Sequence, residues 1–456
     1  MLMSIVLAAG AGTRMKSKLP KVLHRVARVP MIEHVLDVVE HVNCDRKVVV
    51  IGHEAEKVKN AINHRDVQFV LQSERLGTGH AVMKSEKEIA DEGNVIVLYG
   101  DTPLIKEDSI EKFIKFHIDN NFSASVLTTE IENPKGYGRI VRDGSGQVVA
   151  IVEEQDTNEE QKKLMEINSG IYCFKARELK ESLSKLDNKN SQGEYYLTDV
   201  IEILNKEGKK VGAFKVEDYT EIMGVNSLSQ LADAEKMMRN RILRDLMDRG
   251  VAIIDPNNTY VGKRVEIGRD TVLYPGSFIM GDTKIGEDCI IGLNTRIEDS
   301  IIKDNVEIIN STVLQSTIDS NSKIGPYAYL RPNSHLGKNV KIGDFVEVKN
   351  SKIGDNSKAS HLSYIGDGEV GENVNIGCGV VFVNYNGVNK NKTIVEDNAF
   401  IGCNVNLIAP VTIEKDAYVA AGSTITKKVP KESLGVARIK QSNKEGWVRR
   451  KGLIKK

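Results

Sequence analysis

Residues 4–15 read Ser-Ile-Val-Leu-Ala-Ala-Gly-Ala-Gly-Thr-Arg-Met, a short apolar stretch that runs directly into a loop of small residues. The apolar part predicts a buried strand. The loop is a place where backbone N–H groups can converge on phosphate oxygens. Gly10 and Gly12 leave room for that close approach, because a side chain there would block it. Arg14 and Lys21 add positive charge, so the stretch indicates a site for a polyphosphate.

The loop matches neither of two common phosphate-binding motifs. No Gly-Lys-Ser/Thr follows at the spacing of a P-loop, and Met15 stands where GxGxxG would have its third glycine. Taken alone, the loop could equally be a glycine turn in some α/β domain.

Strand and helix signals alternate through the first hundred residues. Apolar spacing from Val22 to Val39 predicts a helix after the loop, and further helices are predicted at 55–62 and 81–89. Between them, apolar runs at 47–52, 67–71 and 95–99 are continuous rather than alternating, which is typical of parallel strands buried on both faces. The sequence therefore predicts a doubly wound α/β domain, a fold that binds ligands at the carboxyl ends of its strands.

Polar residues stand at two of these strand ends. Asp101 follows the run 95–99 and could hold Mg²⁺, although an ordinary turn or helix-cap aspartate is the commoner role before Thr-Pro. Gln72 and Thr78 belong to a second glycine loop and could bond the edge of a base. A plain strand-to-helix turn, with Thr78 as the helix cap, explains that loop equally well.

From residue 122 the pattern changes to strands that resemble an antiparallel extension of the sheet, at 123–129, 138–141, 148–152 and 169–174. Gly138, Glu153 and Asn168 fall at strand ends and suit the hydroxyl and amide groups of a sugar, with plain surface polarity as the alternative. Residues 193–199 open another helix, and residues 223–226 close the domain.

A single helix is predicted to link the two halves of the chain. Apolar residues recur at three- and four-residue steps from about residue 229 to residue 249, and Gly250 follows where a C-cap falls. We place the first domain at 1–227, the linking helix at 228–250 and the second domain, with its C-terminal tail, at 251–456.

The second half has a period of six. The aliphatic residues in register are Val261, Ile267, Leu273, Ile279, Ile285, Ile291 and Ile297, and the period returns at 318–342 and 401–425. Such a repeat predicts a parallel β-helix, because each short strand buries its aliphatic side chain only by stacking on its neighbours. We interpret the register breaks as loops that leave the solenoid, one at Asn384–Lys390 and another just before His361.

His361 could take a proton near neutral pH, as an amine nucleophile requires when it attacks a thioester. A lone histidine in a β-helix is more often structural, but four polar residues come from successive coils with it. Arg331 and Lys349 suit a phosphate, and Tyr364 and Asn375 complete the set. A solvated face of the solenoid is the alternative.

Composition excludes several classes of protein. The formal net charge is +0, so no global field attracts nucleic acid or a membrane surface, and no apolar run is long enough to span a bilayer. The five scattered cysteines contain no CxxC pair, which argues against zinc and disulfide frameworks and predicts a cytoplasmic protein. The first residues, followed at once by Arg14, predict a strand rather than a signal peptide.

The motifs of the first half together resemble the sugar-1-phosphate nucleotidyltransferases. They are the Leu-Ala-Ala-Gly-x-Gly-Thr-Arg-Met loop, Pro20-Lys21, Leu76-Gly77-Thr78-Gly79, Tyr99-Gly100-Asp101 and Gly193–Asp199. With the second half included, nearly the whole chain resembles the bacterial bifunctional N-acetylglucosamine-1-phosphate uridylyltransferase/glucosamine-1-phosphate acetyltransferase family.

The resemblance implies a Rossmann-like domain, a linking helix and a left-handed parallel β-helix, assembled as a homotrimer. It implies acetyl transfer from acetyl-coenzyme A to glucosamine-1-phosphate, then Mg²⁺-dependent transfer from UTP to N-acetylglucosamine-1-phosphate, for bacterial cell-wall precursors. The residues it implies for UTP and the nucleotide sugar are Leu7, Ala8, Ala9, Gly10, Gln72, Gly77, Thr78, Gly138, Glu153, Asn168 and Asn226, with Arg14 and Lys21 catalytic and Asp101 and Asn226 on the metal.

For the second site the resemblance implies His361 as the general base. It implies Arg331, Lys349, Tyr364 and Asn375 for glucosamine-1-phosphate, and Cys378, Asn384, Tyr385, Cys403, Ala421 and Arg438 for acetyl-coenzyme A.

Three features depart from the family pattern. Ala11 replaces a basic residue, Asn386 replaces an aspartate, and residues 380–382 are bulkier than expected. Two other functions stay open from the sequence, namely a monofunctional nucleotidyltransferase with a structural or regulatory β-helix, and a non-catalytic protein that retains both folds. The intact Arg14, Lys21 and Asp101 argue against the second.

Overall fold

The computed structural model describes residues 1–454 and divides the chain into two compact units, Met1–Arg239 and Asn240–Lys456. Lys455 and Lys456, at the end of the basic tail, lie outside the described residues.

The first unit is built on a nine-stranded sheet and a separate two-stranded hairpin, β2–β3. Its strands are β1 (Leu2–Ala8), β2 (Arg25–Val26), β3 (Val29–Pro30), β4 (Arg46–Ile51), β5 (Gln68–Leu71), β6 (Asn94–Tyr99), β7 (Ala124–Glu130), β8 (Arg139–Arg142), β9 (Val148–Val152), β10 (Glu166–Lys175) and β11 (Val211–Lys215). Its helices are α1 (Met31–His41), α2 (Ala55–Ala61), α3 (Thr78–Lys84), α4 (Glu107–Asp119), α5 (Ala176–Leu183) and α6 (Asp199–Lys206). A further helix, α7 (Leu228–Asp248), begins in the first unit and ends in the second.

The sheet confirms the predicted mixture of parallel and antiparallel strands. Its order is β11-β7-β10-β6-β1-β4-β5, with β1 between β6 and β4 and parallel to both. The long strand β10 runs antiparallel to β6 and β7 and carries the β8–β9 extension. The carboxyl ends of β1, β4, β5 and β6 therefore meet at one edge, where the fold places ligands.

Two helix predictions were wrong in their bounds. The segment after the first loop is not helical from Val22: a 3₁₀ turn at Lys21–Leu23 and the β2–β3 hairpin come before α1. The apolar spacing was misleading because Val22, in the turn, and Val26, in the hairpin, are both buried. A helix would have buried the same two side chains. Likewise, α3 begins at Thr78 rather than at residue 81, and a 3₁₀ turn covers residues 86–88.

The second unit is a solenoid of three parallel sheets with 11, 10 and 9 short strands. The first sheet contains Ala252–Ile253, Val272–Leu273, Ile290–Ile291, Glu307–Ile308, Lys323–Ile324, Lys341–Asp344, Lys358–His361, Asn375–Ile376, Phe400–Ile401, Tyr418–Val419 and Leu434–Gly435. The second contains Tyr260–Val261, Phe278–Met280, Arg296–Glu298, Thr312–Leu314, Tyr329–Leu330, Glu347–Lys349, Tyr364–Gly366, Val381–Val383, Asn406–Ile408 and Thr424–Ile425. The third contains Glu266–Ile267, Lys284–Ile285, Ile301–Ile302, Thr317–Ile318, His335–Leu336, Lys352–Ile353, Gly368–Val370, Thr393–Val395 and Val411–Ile413. A short helix, α8 (Trp447–Arg450), lies in the tail.

The predicted six-residue period is confirmed as the core of this solenoid. The aliphatic residues that define it are buried and form one continuous cluster, which also takes in Leu243 and Leu246 from the end of α7. Many coils turn at an asparagine with positive φ, such as Asn294 and Asn404, because a short polar side chain tolerates that backbone conformation.

The interpretation of the register breaks was half right. Residues 384–392 do leave the solenoid between two strands, with Tyr385 bridged to Lys390. No loop precedes His361, however, because it ends the strand Lys358–His361. The slip there is a shorter turn: the buried positions Val348 and Ile353 stand five residues apart rather than six.

No helix among residues 1–454 is long and apolar enough to cross a membrane.

We expect Leu98→Ala to destabilise the first unit by about 2–5 kcal/mol, because Leu98 is 1% exposed and its truncation leaves a cavity at β6, the middle strand in the order of the sheet. The free energy of unfolding of the first unit, followed by chemical denaturation, measures this. The matched change Leu71→Ala removes the same atoms from a side chain that is 58% exposed, so an equal loss there would contradict the assignment of the core.

Two candidate active sites

A cavity of about 510 Å³ opens at the carboxyl edge of the first unit's sheet. It contains most of the residues predicted for a nucleotide, drawn from the loop after β1, the segment after β5 and the end of β6. The lining residues are Leu7, Ala8, Ala9, Gly10, Ala11, Lys21, Val22, Gln72, Arg75, Gly77, Thr78, Ala81, Tyr99, Asp101 and Glu194.

Four predicted side chains meet at one end of this cavity. The ammonium of Lys21 forms an ion pair with the carboxylate of Asp101 and donates to Asn226 Oδ1 at 3.0 Å. Arg14 donates to the same oxygen at 2.9 Å. The backbone fixes this arrangement, because Val225 N–H donates to the Asp101 carbonyl at 2.9 Å and so ties the two loops together.

The donor set at this point fits a divalent metal ion. Asp101 is 7% exposed, and its carboxylate and the Asn226 amide oxygen converge on a single cationic group, the Lys21 ammonium. Carboxylate and amide oxygens are the ligands that Mg²⁺ takes, with phosphates and water completing its shell. The alternative of an ordinary turn aspartate does not account for this buried ion pair.

The second glycine loop forms part of the cavity wall and is more than a turn that leads into a helix. Helix α3 begins at Thr78 without a side-chain cap, so Thr78 is not the capping residue. Its hydroxyl instead accepts from Leu197 N–H at 3.2 Å and is hydrogen-bonded with Tyr99. Gln72 is 4% exposed and donates to the Gly77 carbonyl at 3.1 Å.

Gly138, Glu153 and Asn168 lie together beside Tyr99. A Cβ built on Gly138 would lie 3.4 Å from Glu153 Oε2 and 3.5 Å from Asn168 Cβ, which places the three residues side by side. Burial raises the pKa of Glu153, and neighbouring acidic groups add to the shift. Glu153 is half-buried and so is not a fully solvated surface residue.

Two charged residues of the cavity, Arg75 and Glu194, were not among the predicted site residues. Arg75 belongs to the second glycine loop and Glu194 to the motif Gly193–Asp199. A charged side chain inside such a motif was the feature that could have identified each of them.

In the second unit His361 is paired with a residue that sequence reasoning missed. Asp344 stands one coil earlier in the same register, and its Oδ1 lies 2.6 Å from His361 Nδ1. The hydrogen bond from His361 holds the pKa of Asp344 below its ordinary value, so the group is a carboxylate. A carboxylate at Nδ1 fixes the proton there and leaves Nε2 as the free base.

Three residues predicted for coenzyme A continue the column that Asp344 and His361 begin. Cys378, Cys403 and Ala421 each stand two residues after a core position, and those core positions pair in register from coil to coil. Arg438 lies beside the next turn, where Ala437 N–H donates to Ser423 Oγ at 3.1 Å.

A half-buried polar cluster lies on the neighbouring sheet. Asp367 accepts from Asn350 at 2.7 Å and from Asn384, and pairs with Lys349 at 3.4 Å. Asn384 also reaches Tyr364 Oη at 3.4 Å. The predicted Lys349, Tyr364 and Asn384 are thus brought together by an aspartate that the sequence did not reveal.

Three positively charged side chains, those of Arg331, Lys349 and Lys390, lie close to one another at this cluster. Lys349 contacts Lys390, and this contact together with Arg331 lowers the pKa of Lys390. Arg331 is held at 2.8 Å by Glu347. Asn375 lies on a different sheet, and in the described part of the chain no hydrogen bond joins it to these residues.

Two of the departures from the family pattern have local explanations. Phe382 is fully buried, and one of its ring atoms would lie 2.8 Å from a Cβ on Gly368, so its bulk is matched by that glycine. Asn386 accepts from the backbone of Val388 at 3.0 Å and Asn389 at 2.7 Å and so shapes its own loop, while Tyr385 donates to the Gly387 carbonyl. Nothing in the structure explains Ala11.

Comparison with known proteins finds a matching family model in each half of the chain. Residues 3–236 match the family model of nucleotidyl transferases, and residues 264–299, 315–350 and 392–427 match the bacterial transferase hexapeptide model of six repeats. Fold and site thus define a nucleotidyltransferase joined to a hexapeptide acyltransferase.

Full-length relatives narrow the class further. The chain is 59% identical to the bifunctional protein GlmU of Alkaliphilus oremlandii and 56% identical to that of Alkaliphilus metalliredigens, with 100% of each chain covered. It is 55% identical to the bifunctional protein GlmU of Clostridioides difficile over 98% of this chain and 97% of the relative. The chain belongs to the bifunctional GlmU family and is an enzyme with both uridylyltransferase and acetyltransferase activities. The monofunctional alternative is not favoured, and the non-catalytic one is wrong.

We expect Asp344→Ala to lower kcat of acetyl transfer by about 10- to 1,000-fold, a part of what a positioned general base supplies. The steady-state rate of coenzyme A release measures this. Asp344→Asn keeps an oxygen that can accept from Nδ1 and should retain more activity than the alanine variant. Equal rates in all three proteins would remove Asp344 from the role of positioning His361.

Proposed function

We propose that the second unit acetylates the amine of glucosamine-1-phosphate and that the first unit joins the product to UTP, forming UDP-N-acetylglucosamine and pyrophosphate. The observation that carries the proposal is that one chain holds two separate built sites, the Asp344–His361 pair and the cluster of Arg14, Lys21, Asp101 and Asn226. We assign them to domains at 1–227 and 251–456, joined by residues 228–250.

In the acetyl transfer, His361 Nε2 takes a proton from the amine as its nitrogen attacks the thioester carbonyl. The new C–N bond replaces the C–S bond, and coenzyme A leaves as a thiol after it regains a proton. Arg331, Lys349 and Lys390 supply the positive charge that the sugar phosphate needs.

The remaining residues of the second site bind the two substrates. Tyr364 and Asn375 contact the sugar. The column of residues continues from His361 along successive coils, and coenzyme A lies along this column. The residues that bind it are Cys378, Asn384, Tyr385, Cys403, Ala421 and Arg438.

We propose that the active form is a homotrimer in which neighbouring solenoids complete each acetyltransferase site. Large apolar side chains stand exposed on the coils, among them Leu293, Phe345 and Leu362, and are suited to contacts between copies. Asn375, which does not reach the Lys349 cluster of its own chain, is suited to a site that another copy completes.

In the uridylyl transfer, Arg14 and Lys21 bind the triphosphate while a phosphate oxygen of the sugar attacks the α-phosphorus in line. The bond to pyrophosphate breaks as the new P–O bond forms, and the attacking phosphate needs no base because it is already anionic. Gln72, Gly77 and Thr78 face the base, and Gly138, Glu153 and Asn168 face the sugar. Asp101 and Asn226 would hold Mg²⁺, which neutralises charge on the phosphates when it is bound.

The reactions take place in the cytoplasm in this proposal and supply precursors of the bacterial cell wall. In the described part of the chain all five cysteines are free thiols, as a reducing compartment requires.

Two single substitutions test the separation of the sites. Asp101→Ala should reduce pyrophosphate release from UTP by at least about 100-fold and leave coenzyme A release unchanged, because it removes a charged group from one site only. His361→Ala should do the reverse. Both activities are measured on the same purified protein, and loss of both in either folded variant would contradict the two-site proposal.

The acetyl step is tested on its own with glucosamine-1-phosphate and acetyl-coenzyme A, by following the free thiol of coenzyme A. Release that disappears in His361→Ala supports the proposal. No release from a protein that still makes UDP-N-acetylglucosamine from the acetylated sugar would leave the solenoid without that activity.

A further inference from the structure

The amide of Gln72 is fixed by two acceptors inside the first unit. Its Nε2 lies 3.1 Å from the Gly77 carbonyl oxygen and 3.1 Å from His80 Nδ1. A carbonyl oxygen can only accept, so the amide atom that faces Gly77 is the nitrogen and not the oxygen. Both groups are buried, with Gln72 4% and His80 7% exposed.

The tautomer of His80 follows from this contact. Since Nδ1 faces an N–H of Gln72, it must be the unprotonated ring nitrogen, and the proton belongs to Nε2. The ring is also hydrogen-bonded to the backbone of Glu74, where a carbonyl can receive that proton. Burial lowers the pKa of His80, which favours the same neutral ring.

These two hydrogen bonds use the amide nitrogen of Gln72 and leave its amide oxygen, Oε1, free. Both hydrogens of Nε2 are directed into the protein, toward Gly77 and His80. Among residues 1–454 no hydrogen bond reaches Gln72 Oε1, and Gln72 lines the cavity of the first unit. The side chain therefore presents an acceptor, and no donor, to whatever occupies the cavity.

We propose that His80 is a positioning residue that selects uracil over cytosine by holding Gln72 Oε1 toward the base as an acceptor. The inference deepens the proposed function and rests on it, since it takes UTP as the ligand of this cavity. His80 touches no reacting atom and acts only through Gln72.

The selectivity follows from the two base edges. Uracil carries N3–H, a donor that Oε1 can accept, whereas cytosine carries a bare N3, whose lone pair would face the lone pairs of Oε1. To receive cytosine the amide would have to turn over, and its oxygen would then face the Gly77 carbonyl and His80 Nδ1, both acceptors. A methyl group at C5 leaves N3–H unchanged, so this device does not separate uracil from 5-methyluracil.

The test uses His80→Phe and His80→Asn. Phenylalanine keeps a ring against Tyr195, whose centroid lies 6.3 Å from that of His80, but it offers no acceptor. Asparagine can place its Oδ1 near the position of Nδ1 and restores the acceptor. Each full-length protein is given Mg²⁺, N-acetylglucosamine-1-phosphate and equal concentrations of UTP, CTP and 5-methyl-UTP in one reaction, and the three nucleotide sugars are quantified.

Because all nucleotides compete in one tube, the product ratio does not depend on how much of a variant is folded. We expect the UDP-sugar to CDP-sugar ratio to fall on the order of tenfold in His80→Phe, the scale of one buried hydrogen bond, with Gly77 still holding the amide. In His80→Asn it should stay within about twofold of the unmodified protein. The ratio of UTP to 5-methyl-UTP products should not change in either.

An unchanged ratio in His80→Phe would overturn the inference and leave the proposed function intact. Inactivity of both variants would also overturn it, since asparagine supplies the same acceptor, whereas inactivity of His80→Phe alone would support it. Failure of the unmodified protein to make UDP-sugar would instead refute the proposed function.

Discussion

The second unit depends on one constraint, which is that strands of only two to four residues are too short to bury an apolar core by themselves. Stability comes from stacking each core side chain on the equivalent residue of the coils before and after it, as Ile376 stacks between Ala359 and Ile401. Stacking fixes the position of the core residue and, with it, the positions of the remaining residues of the coil. The residues that stand two places after the core residue therefore line up in a column from one coil to the next. Asp344 and His361 touch because they occupy that column on adjacent coils.

The first unit meets the same need for precise placement in another way. Parallel strands bring distant segments to one edge, so that Lys21, Asp101 and Asn226 meet although they come from three separate loops. A backbone contact reinforces this arrangement, because Val225 N–H donates to the Asp101 carbonyl. At both sites a buried aspartate is held by further polar groups, Asp101 by Lys21 and Asp367 by Asn350 and Asn384, which keeps its orientation fixed.

Much of this was readable from the sequence, and the reason differs between the units. The six-residue period needs no long-range information, since it reflects a local repeat, and it located the solenoid correctly. Spacing was less informative at Val22 and Val26, where a turn and a hairpin bury the same residues that a helix would. It also failed at the break before His361, because a coil shortened by one residue and a coil with an inserted loop both interrupt a period.

The sequence by itself therefore determined the order of the folds, the buried residues of the solenoid and the residue types at strand ends, all of which are local patterns. Only the tertiary structure decided the partners of the reactive groups. Asp344 is 17 residues from His361, and nothing in its own surroundings distinguishes it from other coil aspartates. Gln72 could present either end of its amide until Gly77 and His80 are seen to accept from it. Hydrogen-bond direction depends on which groups converge in space, and the order of residues along a chain does not contain that convergence.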